Sequence, residues 1–155
     1  MVSLDLIRAP LFVPANRPER FAKAAASEAD AVILDLEDAV APEAKEAARR
    51  ALRCDFTTKP VLVRINASGT PWHEADLAAV SALPVAGIVL PKAEDAAVVD
   101  ALCRQLGARV PVLALIETAR GLAEARRLAA LPGVARLVSN IAMRTIFTRR
   151  AMSVQ

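Results

Sequence analysis

Glu117, Arg64, Lys92 and the acidic group Asp35, Glu37 and Asp38 are the residues of this chain whose types and positions could do chemistry. A carboxylate such as Glu117, placed directly after the apolar run 111–116, is a good hard-oxygen ligand for Mg²⁺. It could equally interact with nearby helix N-termini, and position alone does not choose. Arg64 is flanked by Val63 and Ile65 within a strand, so alternation sends its side chain opposite to theirs. A buried arginine is rare unless paired. Its planar fork suits a substrate carboxylate or a developing oxyanion, and a structural ion pair with Glu37 or Glu117 is the competing use. Asp35 and Glu37 share one side of a strand, whereas Asp38 turns into the loop. They could orient a metal or Arg64, or cap a helix. Lys92 could form a Schiff base if burial lowered its pKa, but a substrate-anion contact or an ion pair suits its neighbours better. His73, the only histidine, sits beside Trp72 in an expected first helical turn and reads as a packing or capping group.

These residues need elements to hold them. Six short apolar runs supply those: Leu11–Val13, Ala31–Leu36, Val61–Val63, Ile88–Pro91, Pro111–Ile116 and Val134–Val138. Continuous apolar runs bounded by turn residues read as buried parallel strands. Helical patterns lie between them. Asn16 is expected to cap a helix over 17–27, with Pro18 in its first turn. Pro42 opens a second, with a stripe of Ala44, Ala47, Ala48, Ala51 and Leu52. Thr70-Pro71 repeats the signal before 72–83. Asp95 to Leu106 is a fourth helix, stopped by Gly107, and Thr118 caps a fifth through Leu122, Ala125, Leu128 and Ala129. The order is β-α five times, then a sixth strand, which makes an α/β protein with right-handed crossovers. No G-x-G-x-x-G turn follows the first strand, which weakens a dinucleotide-binding reading. Charged residues at several successive strand ends fit a barrel better than an open doubly wound sheet, with chemistry at the C-terminal ends of the strands. A complete eight-unit barrel takes about 250 residues, and these 155 residues supply six strands, so the expectation is an incomplete (β/α)8 TIM barrel.

Composition excludes several classes. Hydrophobic residues make up 55% and aromatics 3%, so the core is aliphatic. Cys54 and Cys103 lie far apart without metal-ligand spacing, which fits a reducing cytoplasm and not a disulfide or zinc scaffold. No charge-free apolar run reaches the roughly 18–20 residues of a membrane span. The net charge of +3 comes entirely from the segment after residue 140, where Arg144, Arg149 and Arg150 meet no acid. Such a short basic tail reads as solvated or foreign, with neither nucleic acid nor a membrane as partner.

Five ordered segments together resemble the HpcH/HpaI aldolase and citrate lyase β-subunit family: 11–20 (LFVPANRPER), 32–42 (VILDLEDAVAP), 63–66 (VRIN) with 70–72 (TPW), 90–92 (LPK), and 116–118 (IET) with Gly121. The resemblance implies a (β/α)8 barrel, a homo-oligomer, and Mg²⁺-dependent carbon–carbon lyase chemistry on small acyl-CoA or oxo-acid substrates. It further implies that Arg64 binds substrate and that Glu117 binds both metal and substrate. Arg64 and Glu37 stand as the candidate catalytic residues, Arg64 offsetting negative charge as the bond breaks. The pattern is left after Val138. Relatives run into Phe-Gly and then an Asp, the second metal carboxylate, whereas Ser139-Asn140-Ile141-Ala142-Met143-Arg144 stands here and no acid follows Glu124. A partial barrel domain over 1–138 and a divergent basic tail over 139–155 are therefore expected, from a deletion or frameshift near residue 139. An active lyase, a catalytically impaired fragment, and a non-catalytic subunit that pairs its exposed sixth strand with another chain are the three resulting readings.

Overall fold

The computed structural model of the protein describes residues 4–139 and 146–148. The chain divides into two compact units, Met1–Gly87 and Ile88–Gln155. All six strands read from apolar runs are present. In the first unit β1 (Pro10–Pro14), β2 (Ala31–Asp35) and β3 (Val61–Arg64) run parallel. The helices α1 (Phe21–Ala25), α2 (Lys45–Ala51) and α3 (His73–Ser81) follow them in turn. In the second unit β4 (Gly87–Leu90), β5 (Val112–Ile116) and β6 (Val134–Ser139) are likewise parallel, with α4 (Ala96–Leu106) and α5 (Ala119–Ala130) between them. Every residue of β2, β4 and β5 is buried, as strands covered on both faces must be.

The cores are aliphatic. Phe21, Leu34, Leu36, Leu62 and Ile65 are fully enclosed in the first unit, and Ile88, Leu90, Val99 and Leu128 in the second. Each such side chain contributes roughly 1.5–3 kcal/mol over its exposed state.

Register fixes which side chains meet. Pro14 pairs with Asp35 across β1 and β2, and Asp35 pairs with Arg64 across β2 and β3. The acid and the arginine are thus cross-strand neighbours at the last paired positions of their strands. In the second unit β5 and β6 slip register between Val112 and Leu113, and then pair Leu113 with Arg136 through to Ile116 with Ser139.

Several local expectations need correction. Asn16 caps nothing: a one-turn 3₁₀ helix over Pro18–Arg20 leads into the short α1, and the Asn16 Oδ1 is buried with no hydrogen-bond partner among the described residues. The helical turn starts at Pro18, so Arg17 and not Asn16 stands at the cap position, and Pro18 offers no N–H. The Thr70 hydroxyl turns back to donate to the Ala67 carbonyl (2.8 Å), and α3 starts at His73 without a side-chain cap. A 3₁₀ turn over Pro42–Ala44 precedes α2. There Ala48 and Leu52 are buried as expected but Ala47 is exposed, and Lys45 occupies the inner face instead. Leu122, in the first turn of α5, is 66% exposed. The Gly107 stop of α4 and the Thr118 cap of α5 are as expected, and Asp95, read as the first residue of α4, is its N-cap. Asp95 accepts from the Ala97 and Val98 N–H groups, Thr118 Oγ1 accepts from Gly121, and Gly107 closes α4 at φ 67°. A seventh strand, β7 (Ile146–Thr148), pairs antiparallel with β6, so the sixth strand is not the open edge that pairing with another chain would use. The Met143 position and the rest of 140–145 lie outside the described residues.

Candidate active site

The first unit gathers charge at the ends of β2 and β3. Arg64 Nε donates to Asp35 Oδ1 (2.7 Å) and its Nη2 to Asp35 Oδ2 (2.6 Å), a bidentate fork. Its Nη1 lies 3.2 Å from Glu37 Oε2 and 3.7 Å from Asp38 Oδ2. The guanidinium also sits over the Phe12 ring, 5.0 Å from its centroid. Asp35 is 1% exposed and the Arg64 side chain 12%, whereas Asp38 reaches into solvent. Burial alone would lower the Arg64 pKa, but the Asp35 hydrogen bonds and the charges of Asp35, Glu37 and Asp38 outweigh it and raise it. Asp35 also receives the N–H groups of Glu37 (2.9 Å) and Ala39 (3.1 Å), which folds the turn carrying Glu37 back onto Arg64. Arg64 and Glu37 are therefore brought together, with Asp35 as the principal holder of the arginine.

Beneath them lies a polar network that the sequence did not reveal. Lys45, 5% exposed, donates from Nζ to the carbonyls of Leu36 (2.7 Å) and Glu37 (2.8 Å) and to Asn66 Oδ1 (2.7 Å). Its ammonium stands 5.0 Å from the Trp72 ring centroid. Asn66 donates through Nδ2 to Leu36 O (3.0 Å) and Asp76 Oδ2 (2.6 Å), and Asp76 accepts from Arg49 as well (3.0 Å). His73 Nδ1 donates to the Asn66 carbonyl (2.8 Å), so the single histidine is a buried structural group. Desolvation lowers the Lys45 pKa, partly offset by Asp76, Asp35, Glu37 and Asp38. The available signal was spacing: Lys45, Ala48 and Leu52 fall on one helical face.

In the second unit Glu117 follows β5, and its Oε1 accepts the Lys92 backbone N–H (2.9 Å). Lys92 is exposed and adopts φ 49°, the left-handed region, which turns that N–H toward the carboxylate. Thr118 Oγ1 donates to Glu94 Oε2 (2.8 Å) while capping α5. Among the described residues no group of three or more His, Cys, Asp or Glu side chains is arranged to hold a metal ion.

Residues 8–139 match the family model of HpcH/HpaI aldolase/citrate lyase. A citrate lyase subunit beta-like protein of Mycobacterium tuberculosis is 52% identical over 122 residues, which cover 77% of this chain and 42% of that protein. A (3S)-malyl-CoA thioesterase of Cereibacter sphaeroides is 36% identical over 136 residues, covering 84% and 47%. Among solved structures, the citrate lyase β subunit of M. tuberculosis complexed with oxaloacetate and magnesium aligns with TM-score 0.75 at 44% identity, over 89% of this chain and 60% of that one. CitE of the same organism, in complex with magnesium, acetoacetate and coenzyme A, gives TM-score 0.75 at 47% identity, over 88% and 49%. The chain spans about half the length of the curated relatives it matches. Its α/β fold of parallel strands and intervening helices corresponds to part of the TIM-barrel-type fold of these structures. The chain belongs to the HpcH/HpaI aldolase/citrate lyase family.

Proposed function

We propose that the chain binds a small oxo acid or acyl-CoA and serves Mg²⁺-dependent carbon–carbon cleavage, with Arg64 and Glu37 as catalytic residues and Glu117 as ligand to metal and substrate. The observation that carries this reading is the Arg64 fork, fixed by Asp35 at the C-terminal end of β3. A nearly buried guanidinium held rigid on one edge is prepared to meet a substrate carboxylate or an enolate oxygen without reorganising. Glu37 closes the other side of Arg64, its Oε2 lying 3.2 Å from Nη1. Lys92, exposed beside Glu117, suits contact with a substrate anion rather than a Schiff base.

Glu117 fits one position of a Mg²⁺ site. One oxygen is occupied by a neutral N–H, which leaves Oε2 as the hard donor a cation would meet, and Mg²⁺ commonly takes one or two carboxylates with water and substrate. A bound Mg²⁺ supplies Lewis-acid polarisation of a substrate carbonyl. A second reading, a catalytically impaired or purely binding member of the family, is favoured by the want of a three-ligand cluster among the described residues. We further place the chain in the cytoplasm, in keeping with its free thiols, and in a homo-oligomer, in keeping with the exposed Val98 and Leu122.

The test is oxaloacetate binding and acyl-CoA cleavage with and without Mg²⁺, in the parent chain, Arg64→Met and Glu117→Gln. Cleavage lost in both variants supports the lyase. Oxaloacetate binding that depends on Arg64 without any cleavage supports the binding reading. A chain that binds no oxaloacetate sinks both.

A further inference from the structure

The ammonium of Lys45 has three donors, and all three are used on neutral acceptors from two different strand ends. Leu36 O and Glu37 O belong to the turn after β2. Asn66 lies two residues beyond Arg64, after β3. The Asn66 amide strengthens the link by donating to Leu36 O, and its own place is set by Asp76. A buried charge is a poor source of stability, because an apolar side chain of similar volume often does as well. What a buried ammonium gives that a methionine cannot is direction toward particular oxygens. Here those oxygens flank Glu37, whose carboxylate abuts Arg64.

We propose that Lys45 is a positioning residue: it ties the Leu36–Glu37 turn to Asn66 and so fixes Glu37 against Nη1 of Arg64, the guanidinium that meets the substrate carboxylate. The substrate part rests on the functional reading above; the positioning part does not. Lys45 touches no substrate itself. It lies behind the turn, enclosed by Trp72 and its three acceptors.

The experiment is ¹⁵N NMR of the full chain, reading the Arg64 Nη1 N–H resonance, the group that faces Glu37, in the parent, Lys45→Met and Asn66→Ala, with an oxaloacetate titration of each. In the parent, the approach of Glu37 Oε2 to Nη1 should shield this N–H from solvent exchange. In both variants its exchange should quicken at least tenfold, and oxaloacetate should bind at least tenfold more weakly, while the β5 and β6 amides keep their parent shifts. The Arg64 resonance decides. A folded Lys45→Met chain with the parent's Arg64 exchange overturns the proposal, and if that variant does not fold, Asn66→Ala is judged by the same criterion. If the parent fails to bind oxaloacetate but Lys45→Met still frees the Arg64 N–H, the functional reading falls and the positioning role stands.

Discussion

Arg64 can be kept near the protein interior only because its charge is answered within hydrogen-bonding distance. Asp35 does most of this, with two short bonds to one fork and 1% exposure. Removing one partner of a buried pair strands the other charge, which is why such deletions cost more than the pair is worth. Asp35→Asn should therefore destabilise the chain by about 3 kcal/mol in urea titration, at the low end of the range for breaking buried pairs because Glu37 and Asp38 remain near Arg64. An unchanged urea midpoint would show that Arg64 is held by other means. Arg64→Lys should fold normally yet lose oxaloacetate affinity, since a point charge cannot reproduce the fork. The two cysteines make a different residue-scale case. Burial first, then Asp55 beside Cys54 and Asp100 beside Cys103, raise both thiol pKa values above the ordinary 9.0. As pH climbs past 9.0 the unfolded chain gives up these protons while the folded chain keeps them, so stability falls. Lys45 acts in the opposite sense, because its folded pKa is lowered and its unfolded form holds the proton longer. Replacing both cysteines by alanine should flatten the alkaline decline in thermal melts between pH 8.5 and pH 10, a range set about the ordinary thiol value. An equally steep decline in the double variant would count against this.

At the scale of elements, α5 is seated by a glycine. A Cβ on Gly121 would lie 2.6 Å from the Ala93 carbonyl and 3.2 Å from Thr118 Oγ1. Backbone cannot yield as a flexible side-chain tip can. Gly121→Ala gains about 1 kcal/mol of helix propensity but meets an overpacking penalty of roughly 1–3 kcal/mol. The variant should melt at lower temperature than the parent, and a higher melting temperature would mean that α5 slides without strain. The strands were readable from sequence because burial on both faces demands unbroken apolar runs. The α5 cap was readable because Thr118 acts on an N–H group three residues away. Asn16 misled because the helical turn begins at Pro18, which puts Arg17 at the cap position. Lys45 was hidden for a deeper reason. A lysine among alanines at a helix start ordinarily faces water, and its acceptors come from positions 36, 37 and 66, which only the pairing of β2 with β3 brings to it. The Arg64–Glu37 approach was legible because both follow apolar runs, but the primacy of Asp35 depended on register.

For the molecule as a whole, the open quantity is how well these residues hold Mg²⁺. Glu117 offers a hard oxygen already oriented by Lys92, but the described residues hold no three-ligand cluster and no Asp or Glu follows Glu124 in the sequence. A divalent ion that gives up its water reluctantly gains little from a single carboxylate, and thioethers such as Met143 are poor substitutes for oxygen. The 155-residue chain should therefore bind Mg²⁺ at least tenfold more weakly than the M. tuberculosis citrate lyase β subunit, which was solved with magnesium; that factor corresponds to about 1.4 kcal/mol. Oxaloacetate should narrow the difference, because a bound oxo acid contributes oxygens of its own to the ion. Calorimetric titration of both proteins with Mg²⁺, each with and without oxaloacetate, measures this directly. In Glu117→Gln the remaining Mg²⁺ binding should vanish while the Arg64-dependent interaction with oxaloacetate survives in part. Mg²⁺ binding equal to the relative's, or indifferent to Glu117, would mean that the ion is held by groups outside the described residues, and the assignment of Glu117 as its ligand would be wrong.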